Sequence, residues 1–333
     1  MKFGIYVASQ WPPGVDLGPQ LGNLLEQVRV ARANGFESLW TAQHFLTAPM
    51  QMFQTAPLLA RLMAEAEGME VGPAILLLPM LNPVLVAEEA ATLDWFCGGR
   101  YVLAVGMGYR REEFESFGIP FRQRLGRFTE AIELIRRLWT EDRVTFEGNY
   151  YRLRDVGLSL KPKRPGGPPI WVGGSAPAAV ERAARIGDAW IASFSPTLAE
   201  LTAQMRTYGA AREAAGLPEP QARPLCRECH VGADDHTALS EVRGPLLYKY
   251  EAYASWGNER VGASRDAFAQ AFDGFCRDRF LIGDAARVKD EILRYREALG
   301  VDHLILRLQW PGLDQRTVLD SIERLGRIIA ELR

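Results

Sequence analysis

The sequence predicts an α/β fold, a single closed (β/α)₈ TIM barrel with insertions, and three observations carry that prediction. Short β-rich apolar runs alternate with longer stretches of helical spacing, the alternation occurs eight times, and no glycine-rich dinucleotide loop follows the first run. Alternating strands and helices imply parallel strands joined by right-handed crossovers. Eight units favour closure over an open doubly wound sheet. The open sheet needs a phosphate fingerprint where this chain reads Ser9-Gln10-Trp11-Pro12-Pro13-Gly14. With 333 residues, 47% of them apolar, the chain is long enough for one such domain over 1–333.

The first strand reads Lys2 to Ala8, and the helix after it, about Gln20 to Asn34, carries Leu21, Leu24, Leu25, Val28 and Ala31 at helical spacing before Gly35 stops it. Strand two is Phe36 to Ala42 and its helix Ala56 to Ala66; strand three is Gly72 to Leu78 and its helix Pro83 to Phe96, closed by Gly98-Gly99. Tyr101 to Val105 is strand four, followed by Gly106-Met107-Gly108 and a helix from Arg122 to Trp139. Residues 143–153 alternate like a β-hairpin, and a proline-rich loop leads to strand five, Ile170 to Val172, with its helix Ala176 to Ile186. Strand six is Ala189 to Ser193, with its helix Leu198 to Ala215. Strand seven is Pro224 to Val231. The stretch 233–280 breaks the unit and reads as a mostly helical insertion. A helix from Ala285 to Leu299, strand eight from His303 to Leu308 and a closing helix from Asp314 to Leu332 complete the chain. Since 233–280 follows a strand, it is expected to form a lid over the catalytic face; the hairpin follows a helix and belongs to the opposite face.

The net charge of −2 offers no basic field for nucleic acid or an anionic membrane surface. The apolar run Ala74 to Leu78 is far too short to span a bilayer, and the first residues enter a strand pattern with no leader signature. Four cysteines do not build a disulfide scaffold in a chain of this size. A cytoplasmic protein is therefore expected.

Chemistry in such a fold is sought at the ends of strands. His44, after strand two, is placed to enter the barrel mouth as a general base or a hydrogen-bond partner for an anionic intermediate, with a packing role equally open. Pro73 inside the third apolar run marks an irregularity. Gly173-Gly174-Ser175, directly before a helix with Pro177 in its first turn, has the free N–H groups and dipole that hold a phosphate, or else is an ordinary serine cap. Gly106 leaves room for a ring, and Arg110 or Arg111 could reach an anionic tail. Trp11, Phe53, Trp256 and Trp310 fit either an aromatic pocket or the core. Cys226-Arg227-Glu228-Cys229-His230 matches a haem-attachment pattern, but within a strand it reads as packing, with Arg227 pointing inward beside Cys229. No metal site is expected.

The motifs Phe36-Glu37-Ser38-Leu39-Trp40, Gln43-His44-Phe45, Gly98-Gly99-Arg100-Tyr101, Gly106-Met107-Gly108-Tyr109, Pro169 to Ser175 and Phe280 to Asp284 together resemble the bacterial luciferase-like monooxygenase family along nearly the whole chain. The resemblance implies a barrel for reduced FMN or coenzyme F420. By it, His44 faces the flavin, Ala74-Ile75 forms a non-prolyl cis bond behind the ring, and Gly106 and Met107 lie beside the ring. Gly174 and Ser175 touch phosphate, while Ser193 and Phe194 lie near the isoalloxazine. Met107 stands where the luciferase subunit has a basic residue, and Gln43 where relatives often have Glu. The implied activity is FMN-dependent monooxygenation of a small organic substrate by O₂ through a C4a-peroxyflavin, with a separate flavin reductase and a homodimer. The alternatives are F420-dependent hydride transfer and a non-catalytic flavin-binding protein.

Overall fold

The computed structural model describes residues 1–257 and 265–333. Eight parallel strands follow in order: β1 (Lys2–Val7), β2 (Ser38–Thr41), β3 (Glu70–Pro73), β4 (Leu103–Gly106), β5 (Ile170–Gly173), β6 (Ala189–Ile191), β7 (Pro224–Val231) and β8 (His303–Arg307). They form two parallel sheets. One runs β7-β8-β1-β2-β3, with the short strand Leu281–Gly283 added beside β7; the other runs β6-β5-β4, with Leu76–Leu77 beside β4. Two isolated parallel bridges, Val71 to Tyr101 and Ala192 to Leu225, tie the edges of one sheet to those of the other.

The longer helices are α1 (Gly18–Ala33), α2 (Thr55–Met63), α3 (Pro83–Phe96), α4 (Arg124–Thr140), α5 (Pro177–Ile186), α6 (Leu198–Ala214), α7 (Asp235–Ser255), α8 (Arg265–Cys276), α9 (Ala285–Leu299) and α10 (Gln315–Leu332). Their starts are set by local chemistry. The Asn82 side chain accepts from Val84 N–H ahead of Pro83, Thr197 and Glu200 form a reciprocal capping box, and Asp284 caps α9, which Gly300 ends at φ +64°.

Alternation along each strand sorts side chains into two cores. Phe3, Ile5, Leu39, Val105, Val172 and Leu306 pack against the helices. Tyr6, Trp40, Ala104, Trp171, Ile191 and Ile305, from both sheets, meet in a second core on the other face. There Trp40 and Trp171 stack at 5.0 Å, and His303 Nε2 shares a hydrogen bond of 2.7 Å with Ser38.

Four expectations change. The third apolar run is not one strand: pairing with β2 ends at Pro73, which brings no N–H to a ladder, a cis Ala74–Ile75 bond follows, and Leu76–Leu77 pairs instead with β4. Strand six is shorter, ending at Ile191, so that Ser193 and Phe194 lie in the loop beyond it. Helix α5 is capped by Ala176, not Ser175, and its cap makes no side-chain bond. Arg227 and Cys229 do share a face, but it is the helix-facing one: the Arg227 guanidinium lies 4.7 Å over the Tyr295 ring, and Cys229 belongs to the strand–helix core. Cys226, three residues from Cys229, faces the second core, so the two sulfurs lie on opposite sides of the sheet. The insertion is helical where described, as α7 and α8; residues 258–264 of the expected lid lie outside the described residues. No helix of the described residues is long and apolar enough to cross a membrane.

Candidate active site

Because the strands are parallel, the segments after β2 to β6 emerge on one side. His44, Ala74-Ile75, Gly106-Met107, Gly173 to Ser175 and Ser193-Phe194 all lie there. Ile75 joins three of these segments. A Cβ on Gly106 would collide with its Cδ1, and one on Gly173 would come within 3.1 Å of the same atom. Glycine at both positions lets the isoleucine lie flat across two strand ends, making an apolar shelf. Gln43 fixes the segment behind it: Leu77 N–H donates to Gln43 Oε1 at 2.7 Å.

His44 follows Gln43 directly, and its side chain is 13% exposed. Its Nδ1 lies 3.3 Å from Glu113 Oε1. That oxygen also accepts from Phe45 N–H at 2.9 Å and from Arg110 at 3.4 Å. Arg110 is tied down further by Phe45 and Leu46 carbonyls and lies 4.5 Å over the Trp256 ring. It is therefore engaged in holding Glu113 and the His44 loop, and is not free for an anionic tail; Arg111 lies over Phe121. Tyr253 and Trp256, at and just beyond the end of α7, close on the imidazole at 5.7 and 5.5 Å, and Tyr109 completes the enclosure at 6.2 Å. This geometry can serve proton transfer: Nδ1 is oriented by a buried carboxylate, and the ring's second nitrogen has no protein partner among the described residues.

On the far side, Ser175 and Ser193 hydroxyls lie 3.2 Å apart, Gly174 O accepts from Trp190 at 2.8 Å, and Gln204 donates to Ser175 O at 2.7 Å. Arg182 of α5 reaches the Met107 sulfur at 3.6 Å. Among the described residues no carboxylate pairs with it. Burial, then Arg124 and Arg185, lower its pKa. A guanidinium in that state fits an anion such as a phosphate. Arg182 thus places a positive charge beside Met107.

Phe194 packs edge-on against Tyr6 at 4.9 Å. Of the aromatic residues weighed for a pocket, Trp256 joins the site, Trp11 pairs with Phe53 at 5.1 Å, and Trp310 is fully buried. Sequence reasoning missed Glu113, Arg182, Tyr253 and Lys249. Glu113 precedes Phe114 in the short helix Arg111–Ser116, and both are buried; a charge beside a buried aromatic was the available signal. In α7 the buried stripe Ala238, Val242, Leu246, Lys249, Tyr250 carries a lysine at a core position.

The sequence profile of the luciferase-like monooxygenase family matches residues 1–303. The chain is 28% identical to an F420-dependent glucose-6-phosphate dehydrogenase of Amycolatopsis mediterranei over 91% of this chain and 92% of that one. It is also 28% identical to an FMNH₂-dependent dimethylsulfone monooxygenase of Pseudomonas putida, over 83% and 80% of the two chains. The solved structure of the monooxygenase RslO1 from Streptomyces bottropensis shares the fold, with a TM-score of 0.84, 22% identity and coverage of 100% and 99%.

Proposed function

The chain belongs to the luciferase-like monooxygenase family, and from that premise we propose that it oxygenates a small organic substrate with reduced FMN and O₂. The observation that carries this reading is the pairing of His44 with buried Glu113 beside the Ile75 shelf. The glycine-backed shelf and Arg182, which meets no carboxylate among the described residues, fit a flat ring with an anionic tail. Ala74 and Ile75 would lie under the ring, with Gly106, Met107, Ser193 and Phe194 around it. Gly173, Gly174, Ser175 and Arg182 would hold the phosphate. When bound, the reduced flavin supplies the electrons for oxygen activation. The chain's part is to bind and orient the ring, to exclude water under α7 acting as a lid, and to move a proton at His44 Nε2. In this reading the two bridged sheets close into one eight-stranded barrel. The active form is a homodimer supplied by a separate reductase, so a monomer mass in solution overturns that part.

The F420-dependent relatives favour a second reading, hydride transfer with F420, in which His44 takes or gives the substrate proton. Anaerobic titration of the protein with reduced FMN, oxidised FMN and F420 tests both. Tightest binding of reduced FMN, with O₂ consumption in turnover, supports monooxygenation; preference for F420 supports hydride transfer; binding of none sinks both. Arg182→Met should weaken the preferred cofactor by about tenfold, one charge-assisted contact's worth.

A further inference from the structure

Three charged side chains inside the strand ends take no part in that reading. Glu228 of β7, Lys249 of α7 and Arg307 of β8 are all buried. Lys249 donates to Glu228 Oε1, Tyr250 donates to the same oxygen at 3.2 Å, and Trp310 donates to Oε2 at 2.5 Å. Arg307 Nε lies 3.9 Å from Oε2 and its Nη2 donates to Gln10 at 2.8 Å. Three rings also surround the Lys249 ammonium: Tyr250 at 4.5 Å, Tyr253 at 5.2 Å and Phe194 at 5.5 Å. Among the described residues two cations therefore share one carboxylate. Among the described residues the other titratable groups around them are Tyr6, Cys226, Tyr250, Tyr253 and Cys276. Burial raises the pKa of Tyr6, Cys226, Tyr250 and Cys276, so none of these four supplies a second negative charge near neutral pH.

A buried excess charge is costly, and it is relieved by an arriving anion or by loss of a proton. Without an anion, burial and then Arg307 lower the Lys249 amine to about 7, against the pull of Glu228. Burial opposes the charge of Glu228 too, but Lys249 and Arg307 outweigh it and hold its carboxyl below the usual range.

We propose that Lys249 and Arg307 form a subsite for a carboxylate on the substrate, whose apolar body packs against Phe194 and Tyr253. Tyr253 touches both Lys249 and His44, which sets the carboxylate one ring's width from the proton-transfer group. This rests on the reading of the strand ends as the active site, and narrows its substrate to apolar, aromatic-sized acids. Binding returns the proton to Lys249: the amine takes it from solvent as the carboxylate arrives.

The test is calorimetric titration of the full-length protein with sodium benzoate and with its neutral counterpart benzamide, at about pH 8 in two buffers of different ionisation enthalpy. Benzoate should bind at least about tenfold tighter, with net proton uptake. Lys249→Met and Arg307→Gln each remove the excess charge and should abolish the preference. Lys249→Arg should keep the preference without the proton uptake. If one neutral variant fails to fold, the other carries the test. Equal affinity for the two probes, binding of neither, or an unchanged preference in a folded neutral variant overturns the subsite. Cofactor titration on the same samples separates the two readings: benzoate preference without flavin binding keeps the subsite and discards the redox role, and the converse discards the subsite alone.

Discussion

His44 is held from several sides, by Glu113 at Nδ1, by Gln54 at its carbonyl, and by the rings of Tyr253 and Trp256. Little of the core rests on it, so its removal should separate chemistry from stability. His44→Ala should lower turnover by about 10²-fold while melting temperature and cofactor affinity stay close to wild type. A stable, cofactor-saturated variant with wild-type turnover would show that His44 only packs. Glu113 differs. Its carboxylate meets Arg110 and the Phe45 N–H inside the protein, while Glu112 and two carbonyls also hold the guanidinium, so Glu113→Ala should cost about 1–3 kcal/mol by leaving buried donors short of an acceptor. Denaturant unfolding measures the loss. A cost below about 1 kcal/mol would mean that Arg110 relaxes to solvent. Motif reading found His44 because a histidine after a strand is conspicuous. It passed over Glu113 because Glu112 and Glu113 look alike in sequence, and only the turn of the helix Arg111–Ser116 buries one and leaves the other exposed.

At the scale of elements, the junction between β3 and β4 organises the site. Pro73 ends one ladder, Leu76–Leu77 joins another, and Ile75 spans Gly106 and Gly173 between them. The first atom that a Cβ at Gly106 meets is the far end of a flexible side chain, which can swing away. Gly106→Ala should thus change stability by less than about 1 kcal/mol, yet weaken cofactor binding by about tenfold because the shelf is displaced. Thermal melting alongside a cofactor titration checks this, and unchanged affinity would remove Ile75 from the ring's floor. The sequence showed the irregularity through Pro73. It did not show that the run changes partner, since pairing depends on β4, some 30 residues on.

For the whole molecule, buried histidines make stability depend on acid. Burial, then Lys2, lower the His303 imidazole to about 3, and burial lowers His230 although Glu241 opposes it. The unfolded chain binds a proton at His303 near its ordinary value of 6.5. Between these values the unfolded state therefore holds more protons, and stability falls as pH falls through that window. One such group contributes about 1.4 kcal/mol per pH unit. His303→Gln should flatten the fall in unfolding free energy between about pH 6 and pH 4 by that slope. Equal slopes in the two proteins would show that His303 titrates normally when folded.

The sequence alone determined the order and type of nearly every element, because hydrophobic periodicity and glycine or proline punctuation are local, and alternation of strand and helix leaves few topologies. Through those strand ends it also placed His44 and the Gly173 to Ser175 segment on one side. Only the tertiary structure decided which polar side chains are buried. Glu113 meets His44 across 69 positions, Arg182 meets Met107 across 75, and Lys249 meets Glu228 across 21. A charged residue reads as solvated unless the fold brings a partner to it. The free energy that permits its burial comes from that partner, at whatever distance along the chain it lies.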